Sequence, residues 1–197
     1  MHYKEHLSKD KKLAPILLTK EFNLTKRKNI AIQLMASIIS QQLSTRVADV
    51  IFKRFLELYN NKYPSCEEVL YTSFQTLKSI GLSNNKTQYI HNVANFFIEN
   101  KITDAQLHKM EDDEIVELLT QIKGIGKWTT QMILMFSLGR ENVFSVDDLG
   151  IQQSMTKLYK IKTENKKELI QKMTLISNKW APYKTFACLH LWHWKDN

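Results

Sequence analysis

A glycine turn between two helical segments constrains the fold of this chain more than any other feature. The turn, residues 123–127, reads Lys-Gly-Ile-Gly-Lys. Glycine lets a backbone turn tightly, and the N–H groups that open the following helix can bind an anion. A simple tight connection between helices is the alternative interpretation. Apolar residues recur at helical spacing on both sides, namely Ile115, Leu118, Leu119 and Ile122 before the turn and Trp128, Met132, Met135 and Phe136 after it.

Two adjacent aspartates, Asp147 and Asp148, precede the next apolar pattern of Leu149, Gln152, Met155 and Leu158 or Tyr159. They therefore lie at a helix N-terminus, where the helix dipole favours an ionised carboxylate. Capping is the commonest role of Asp at such a position, and only one of two neighbours can be the N-cap. We expect Asp147 to cap the helix and Asp148 to face whatever lies in front of it.

Helical periodicity extends over the rest of the chain. Only five Gly and three Pro interrupt it, and the alternation typical of strands is nearly absent. The sequence therefore predicts an all-α fold of about ten helices, as one domain or as two closely packed lobes. The further predicted helices lie at 30–39, 45–59, from Pro64 and Ser65 with a Ser65–Glu68 capping box, 74–80 with a stop at Gly81, 86–100, from Asp104, around 169–180, and from Pro182 to the C-terminus.

The charge balance indicates a polyanionic partner. The chain has 28 Lys and Arg against 20 Asp and Glu, which gives a net charge of +8. Its two cysteines, Cys66 and Cys188, cannot supply the four thiolates of an iron–sulphur cluster, and they suit a reducing compartment. Neither a secretion signal nor a long apolar segment is evident, so we expect a cytoplasmic protein outside the membrane.

Four blocks resemble the helix–hairpin–helix superfamily of DNA base-excision glycosylases, in particular its alkyl-base branch, the 3-methyladenine DNA glycosylase II type. They are SIISQQLST (37–45), GLSNNKTQYI (81–90), IKGIGKWTTQMILMFSLGRENVFSVDDLGIQ (122–152) and WAPYKTFACLHLW (180–192). The chain resembles the compact form, because too few residues precede helix 30–39 for an additional N-terminal β-containing domain. The resemblance implies one glycosylase unit over 1–197, with two lobes, about 44–120 and 1–43 plus 121–197, and an active-site cleft between them.

The resemblance also implies roles for individual residues. Asp148 matches the family's catalytic aspartate. Trp128 stands where strand-cutting members carry a lysine nucleophile, and tryptophan cannot form a Schiff base, so we expect no lyase activity. Leu43, with Gln42, matches the wedge that fills the gap left by a flipped nucleotide, although a leucine is more often buried in a core.

Aromatic residues match the family's base pocket, where cation–π attraction would select a positively charged base. These are Trp128 and Trp192, with Met132 at a position that is aromatic in longer relatives and Tyr183 nearby; core packing is the alternative for each. A DNA phosphate clamp would comprise Lys123, Gly124, Ile125, Gly126, Lys127 and Thr129. The carbonyls of Thr120, Ile122 and Ile125 would hold Na⁺ or K⁺, and no other cofactor is expected. His190 and His193 lack the further ligands that a zinc site needs.

The activity implied is hydrolytic removal of alkylated purines, of the 3-methyladenine and 7-methylguanine type, from double-stranded DNA by a monomer. Two alternatives stay open at this point. One is a helix–hairpin–helix module that binds DNA without catalysis, and the other is a glycosylase for oxidised or mismatched bases.

Overall fold

The protein is built from α-helices. The structure, a computed structural model, describes residues 2–196. Within them there are twelve α-helices, two short 3₁₀ helices and no β-strand, so the all-α prediction is confirmed. None of the helices in this range is long and apolar enough to span a membrane. The helices are α1 (His2–Leu7), α2 (Ile30–Ser40), α3 (Thr45–Glu57), α4 (Cys66–Tyr71), α5 (Phe74–Ser79), α6 (Asn84–Glu99), α7 (Asp104–Lys109), α8 (Asp112–Leu119), α9 (Lys127–Phe136), α10 (Leu149–Tyr159), α11 (Lys166–Ser177) and α12 (Lys184–Lys195), with 3₁₀ helices at Ala14–Leu18 and Asn178–Trp180.

The helices group into two compact units. One is Lys26–Ile133, and the other is Met1–Thr25 with Leu134–Asn197. Along the chain, the second limit between them falls inside α9. The two lobes expected from the resemblance remain a prediction. They are about 44–120 and 1–43 plus 121–197.

Helix α2 is largely buried within the unit Lys26–Ile133. It packs against α3 and α6, and α6 packs in turn against α4 and α5. Full burial of one large aliphatic side chain stabilises a fold by about 1.5–3 kcal/mol, so this one helix contributes a large share of the core. Its buried residues are Ile30, Ala31, Ile32, Leu34, Met35, Ile38 and Ile39.

The buried stripe of α3 differs from the one that apolar spacing predicts, which is Val47, Val50, Ile51, Phe55 and Leu58. Ile51 and Phe55 are buried as predicted, and Ala48 joins them. Val47 and Val50 are instead 44% and 46% exposed. The predicted stripe was too wide, because only the side of α3 that packs against α2 is covered. Val47 and Val50 therefore give the first half of α3 an exposed apolar surface, next to the turn that precedes this helix.

Helix α12 is the centre of the other unit, where it packs against α10 and the 3₁₀ helix Ala14–Leu18. The N-terminal segment, to which the sequence analysis gave no structure, adds side chains to this core. The ring of Tyr3 stacks on that of Phe186 at 4.1 Å. The buried apolar residues of this segment are Tyr3, Leu7, Leu13, Ile16 and Leu17.

Asp10 fixes the N-terminal segment through its carboxylate. Oδ2 accepts hydrogen bonds from the hydroxyl of Tyr159 at 2.6 Å and from the indole N–H of Trp180 at 3.1 Å. Oδ1 accepts the backbone N–H groups of Lys12 and Leu13. Burial raises the pKa of Asp10, but these four bonds outweigh that effect and leave the pKa below its ordinary value. Trp180, fully buried, is a core residue.

Most helix starts carry the caps that the sequence indicates. Ser65 and Glu68 form the predicted capping box at α4. Asp104, predicted to begin a helix, is the first residue of α7, and Thr103 is the N-cap. The Asp104 carboxylate bonds elsewhere, because it accepts the backbone N–H groups of Asn29 at 2.6 Å and Ile30 at 3.0 Å. It thereby caps α2, 74 residues earlier in the chain.

Candidate functional site

The predicted glycine hairpin is present between α8 and α9. Two buried isoleucines, Ile122 and Ile125, anchor it in the core, and the N–H of Ile125 donates to the carbonyl of Ile122 at 2.9 Å. Lys123 and Lys127 are exposed. The first backbone bond of α9 runs from the N–H of Thr130 to the carbonyl of Gly126 at 3.0 Å. Helix α9 therefore presents its positive dipole end between two lysines, an arrangement that favours an anion.

The two glycines of the hairpin differ in their surroundings. Gly124 has a φ of +107°, and a Cβ there would lie 2.3 Å from Cγ of Tyr89. A Cβ at Gly126 would meet no atom within 4 Å in residues 2–196, its chain neighbours aside. Gly124 is thus needed for the shape of the hairpin and its packing on α6, whereas Gly126 leaves open space in front of α9.

One face of α9 is an exposed apolar stripe. Trp128, Met132 and Phe136 follow one another at intervals of four residues, which places them on one side of a helix. Trp128 is 43% and Phe136 38% exposed, so neither side chain is fully buried in the core. Thr129 is 4% exposed, so its hydroxyl is not presented to a ligand and only its N–H, in the first turn, faces the hairpin side.

The turn between α2 and α3 carries the predicted wedge residues. Gln42 has a φ of +57°, a left-handed conformation that is uncommon for a residue with a side chain. Leu43 is 37% exposed, so the alternative of a buried core leucine does not hold. A cavity of about 470 Å³ adjoins this turn; its lining residues are Ser40, Gln41, Gln42, Ser83, Asn85, Lys86, Tyr89 and Trp128.

Asp148 is the N-cap of α10, and the prediction that Asp147 would be the cap is wrong. Oδ1 of Asp148 accepts the N–H of Ile151 at 2.8 Å, and it also accepts the indole N–H of Trp192 at 2.8 Å. Asp147 is exposed. The helix begins at Leu149, one residue later than a cap at Asp147 would require, and Asp148 gains a bond from Trp192 of α12. Asp148 therefore caps α10, and the two bonds hold its carboxylate in a fixed position.

Gly150 and Phe136 surround the pair formed by Asp148 and Trp192. A Cβ at Gly150 would lie 3.1 Å from Oδ1 of Asp148 and 3.1 Å from Cδ1 of Trp192, closer than most such contacts. The ring of Phe136 lies 6.0 Å from that of Trp192. Glycine at position 150 thus leaves the room that the indole needs to reach the carboxylate.

Tyr183, predicted as a base-pocket residue, lies at the other end of α12 from Trp192. It is the N-cap residue of α12, and its ring packs edge-on against His6 at 5.5 Å and Phe186 at 6.2 Å. Trp192 follows nine residues later, roughly 13 Å further along the helix axis and on its opposite side. Tyr183 therefore packs against the N-terminal segment of the chain, beside His6.

The described residues contain no group of three or more His, Cys, Asp or Glu that could hold a metal ion. His190 is a buried core residue, with its ring against Phe22 at 4.8 Å. Burial lowers its pKa to about 4. Burial also raises the pKa of both thiols, to about 11 for Cys66 and to about 12 for Cys188, so neither is a reactive thiolate near neutral pH.

Residues 35–179 match a family model described as HhH-GPD superfamily base excision DNA repair protein. The chain belongs to this superfamily. It is 35% identical to DNA-3-methyladenine glycosylase 1 of Schizosaccharomyces pombe over 81% of this chain and 70% of that relative. It is 31% identical to the putative DNA-3-methyladenine glycosylase YfjP of Bacillus subtilis over 81% of this chain, but spans only 56% of that relative's length.

A solved structure supports the same assignment. The 3-methyladenine DNA glycosylase Mag1 of Schizosaccharomyces pombe, in complex with abasic DNA, superposes with a TM-score of 0.86 at 30% identity. The match covers 100% of this chain and 98% of that one. As expected from the quoted blocks, this chain has the helix–hairpin–helix glycosylase fold.

Three residues near the predicted site were missed from the sequence. Phe136 could have been found, because its interval of four from Met132 and eight from Trp128 already places it on their side of α9. Gly150 and Lys86 could not, since their contacts join residues distant in the chain: Trp192 for Gly150, and the end of α2 for Lys86.

Proposed function

We propose that this protein is a monofunctional DNA glycosylase that flips alkylated purines out of double-stranded DNA and hydrolyses their N-glycosidic bonds in base excision repair. Its superfamily is that of base excision DNA repair proteins, and the named relatives are 3-methyladenine glycosylases. The observation that carries the proposal is the carboxylate of Asp148, which is held at a helix N-terminus by two 2.8 Å bonds on one oxygen.

The chemistry requires a carboxylate of this kind. Cleavage of an N-glycosidic bond gives the sugar oxocarbenium character, and a fixed negative charge stabilises charge that develops only in the transition state. Asp148 would supply that charge and orient or deprotonate the attacking water. An alkylated purine is already cationic and leaves readily, so little acid catalysis on the base is needed.

The other roles are proposed residue by residue. Leu43, with Gln42, would fill the gap left by the flipped nucleotide, in keeping with the exposure of Leu43 at a turn. Trp128, Met132 and Trp192 would contact the base. The clamp would be formed by Lys123, Gly124, Ile125, Gly126 and Lys127 with the N–H of Thr129.

Trp128 supports a reaction without strand cleavage. It is the second residue of α9, the position at which strand-cutting members of the superfamily carry a lysine. Neighbouring Lys127 points about 100° away around the helix, and it is exposed. With no amine at position 128, the product would be an abasic site in an unbroken strand. The protein would act as a monomer in the cytoplasm, with the DNA, which in a bacterial cell is the nucleoid.

We also propose a monovalent cation, Na⁺ or K⁺, at the carbonyls of Thr120, Ile122 and Ile125. Neutral oxygen ligands suit a hard cation, and Thr120 is the C-cap of α8, where the helix dipole is negative. The Ile122 carbonyl accepts one N–H and keeps a second lone pair. A bound ion would bring positive charge to a DNA phosphate.

The test is release of methylated purines from alkylated duplex DNA by the wild type and by Asp148→Asn. Asparagine is as good an N-cap as aspartate, so the variant keeps the cap and loses the charge. We expect the excision rate to fall by about two orders of magnitude or more, comparable to the loss of one electrostatic stabiliser. Asp147→Asn, which removes the neighbouring exposed carboxylate, should retain wild-type activity.

Strand breakage, scored before and after alkali, completes the test. Breaks that appear only after alkali support a monofunctional enzyme. Full activity in Asp148→Asn would refute the assigned role. No release by the wild type, with salt-sensitive DNA binding retained, would favour the DNA-binding module without catalysis, and release of oxidised or mismatched bases alone would favour another lesion class.

A further inference from the structure

Lys86 lies in the first turn of α6, with its ammonium group against the end of α2. Nζ donates to the carbonyl of Ile39 at 2.8 Å and to the carbonyl of Gln41 at 2.8 Å. Carbonyls at a helix C-terminus lack intrahelical partners and carry the negative end of the dipole, so a cation is favoured there. Partial burial lowers the pKa of Lys86. Its short bonds to two backbone oxygens compensate for the water it has lost.

These two bonds bracket the start of the turn that carries Gln42 and Leu43. Two backbone bonds shape the turn. The N–H of Gln41 donates to the carbonyl of Ile38 at 3.3 Å, and the N–H of Leu43 donates to the carbonyl of Ser40 at 3.1 Å. Both are ordinary or long bonds, and Gln42 holds a left-handed φ of +57° between them. A residue other than glycine keeps a left-handed backbone conformation only where the surrounding structure holds it there. Lys86 thus ties both the end of α2, at Ile39, and the first residue of the turn, Gln41, to α6.

The same face of α6 supports the hairpin. Tyr89 packs against Gly124, and the side-chain amide of Asn92 donates to the carbonyl of Lys123 at 3.1 Å. Positions 86, 89 and 92 follow at intervals of three, so they lie along one side of the helix. Helix α6 therefore fixes both segments that the proposed function assigns to DNA, the turn through Lys86 and the hairpin through Tyr89 and Asn92.

We propose that Lys86 is a positioning residue for DNA base flipping, which holds the turn 41–44 so that Leu43 can enter the base stack. The proposal rests on the proposed function, because it takes Leu43 as the wedge. Lys86 itself need not touch the reacting base. Its loss should impair excision most where the enzyme must displace a stacked and paired base, and least where the lesion is already unpaired.

The experiment compares wild type, Lys86→Met and Lys86→Arg in single-turnover excision of one 7-methylguanine. The lesion lies either opposite cytosine or opposite an abasic-site analogue. For Lys86→Met we expect a rate at least about tenfold lower on the paired duplex and within about threefold of wild type on the unpaired one. Arginine can donate to both carbonyls and should restore the rate. Lys62→Met, which removes an exposed lysine of the same unit, is the matched control.

A second readout is independent of catalysis. Each protein is bound at saturation to a duplex with 2-aminopurine opposite the abasic-site analogue. Insertion of a wedge unstacks the probe and raises its fluorescence, and Lys86→Met should give a smaller rise than wild type. Affinity for undamaged duplex, which the hairpin determines, should change little.

The outcomes separate the two proposals. Equal slowing of Lys86→Met on both substrates, or an unchanged 2-aminopurine signal, would overturn the positioning role and indicate simple stabilisation of the fold. A wild type that releases no methylated base, but gives a fluorescence rise that depends on Lys86, would overturn the proposed function and leave the positioning role supported.

Discussion

Gly124 and Gly126 are two residues apart, but replacement by alanine should have different effects on stability. The loss should be large at Gly124 and small at Gly126. At Gly124 the φ of +107° disfavours any side chain, and a Cβ there would overlap the ring of Tyr89. Gly124→Ala should lower the free energy of unfolding by about 2–4 kcal/mol, the sum of backbone strain and displaced packing. Urea unfolding followed by circular dichroism measures this.

Gly126→Ala is the matched control, because its Cβ would project into open space. Its unfolding free energy should stay within about 1 kcal/mol of wild type, a change expected at an N-cap. If the hairpin binds phosphate, Gly126→Val should nevertheless weaken binding to damaged and undamaged duplex alike, as fluorescence anisotropy would detect. Loss of affinity for damaged DNA alone would argue against a phosphate clamp.

Asp148 shows what the sequence can and cannot predict at the residue scale. Its place at a helix N-terminus followed from the apolar pattern after it. The choice between Asp147 and Asp148 as the cap did not, because it depends on the indole of Trp192, 44 residues away. Local periodicity contains no information about such a partner. For the same reason the contact between the rings of Tyr183 and His6 could not be predicted.

At the scale of helices, local signals predicted nearly all of the architecture. The helices from 30 onward, the Ser65–Glu68 capping box and the stop at Gly81 followed from spacing and from the conformational preferences of single residues. Helix α1 is six residues long, too short for periodicity to reveal it, and its sequence has none of the capping or stop signals that mark the equally short α4, α5 and α7. The cap of α2 was not predictable either, since the carboxylate comes from Asp104 on another helix.

That cap leads to a prediction about α2. Its N-cap residue, Asn29, has a left-handed φ of 58° and makes no capping bond with its own side chain. The Asp104 carboxylate takes this role for two backbone N–H groups. Asp104→Ala should therefore lower the free energy of unfolding by about 1–2 kcal/mol. Glu99→Ala, which removes an exposed carboxylate from the same unit, should change it by less than about 0.5 kcal/mol. Equal values for the two variants would show that the cap contributes nothing.

At the scale of the whole molecule, His190 links stability to pH. Its side chain is fully buried in the core around α12, between the rings of Tyr3 and Phe22. Burial lowers its pKa from the ordinary value of 6.5 to about 4. Between these two values the unfolded chain binds a proton that the folded protein does not. The contribution of neutral His190 is therefore complete above pH 6.5 and is lost as the pH falls toward 4.

The expected loss over this window is on the order of 2 kcal/mol. His190→Met fills a similar volume without titrating, so its stability should fall less steeply than that of the wild type between pH 6.5 and 4.5. Asp10 does not interfere, because its lowered pKa acts only below the ordinary value of 3.8. Urea unfolding at several pH values gives the two curves, with His2→Asn as the exposed control. Parallel curves for wild type and His190→Met would mean that His190 becomes protonated without unfolding the core. A steeper fall for the wild type than for His190→Met would identify a single buried imidazole as the main cause of acid sensitivity in this pH range.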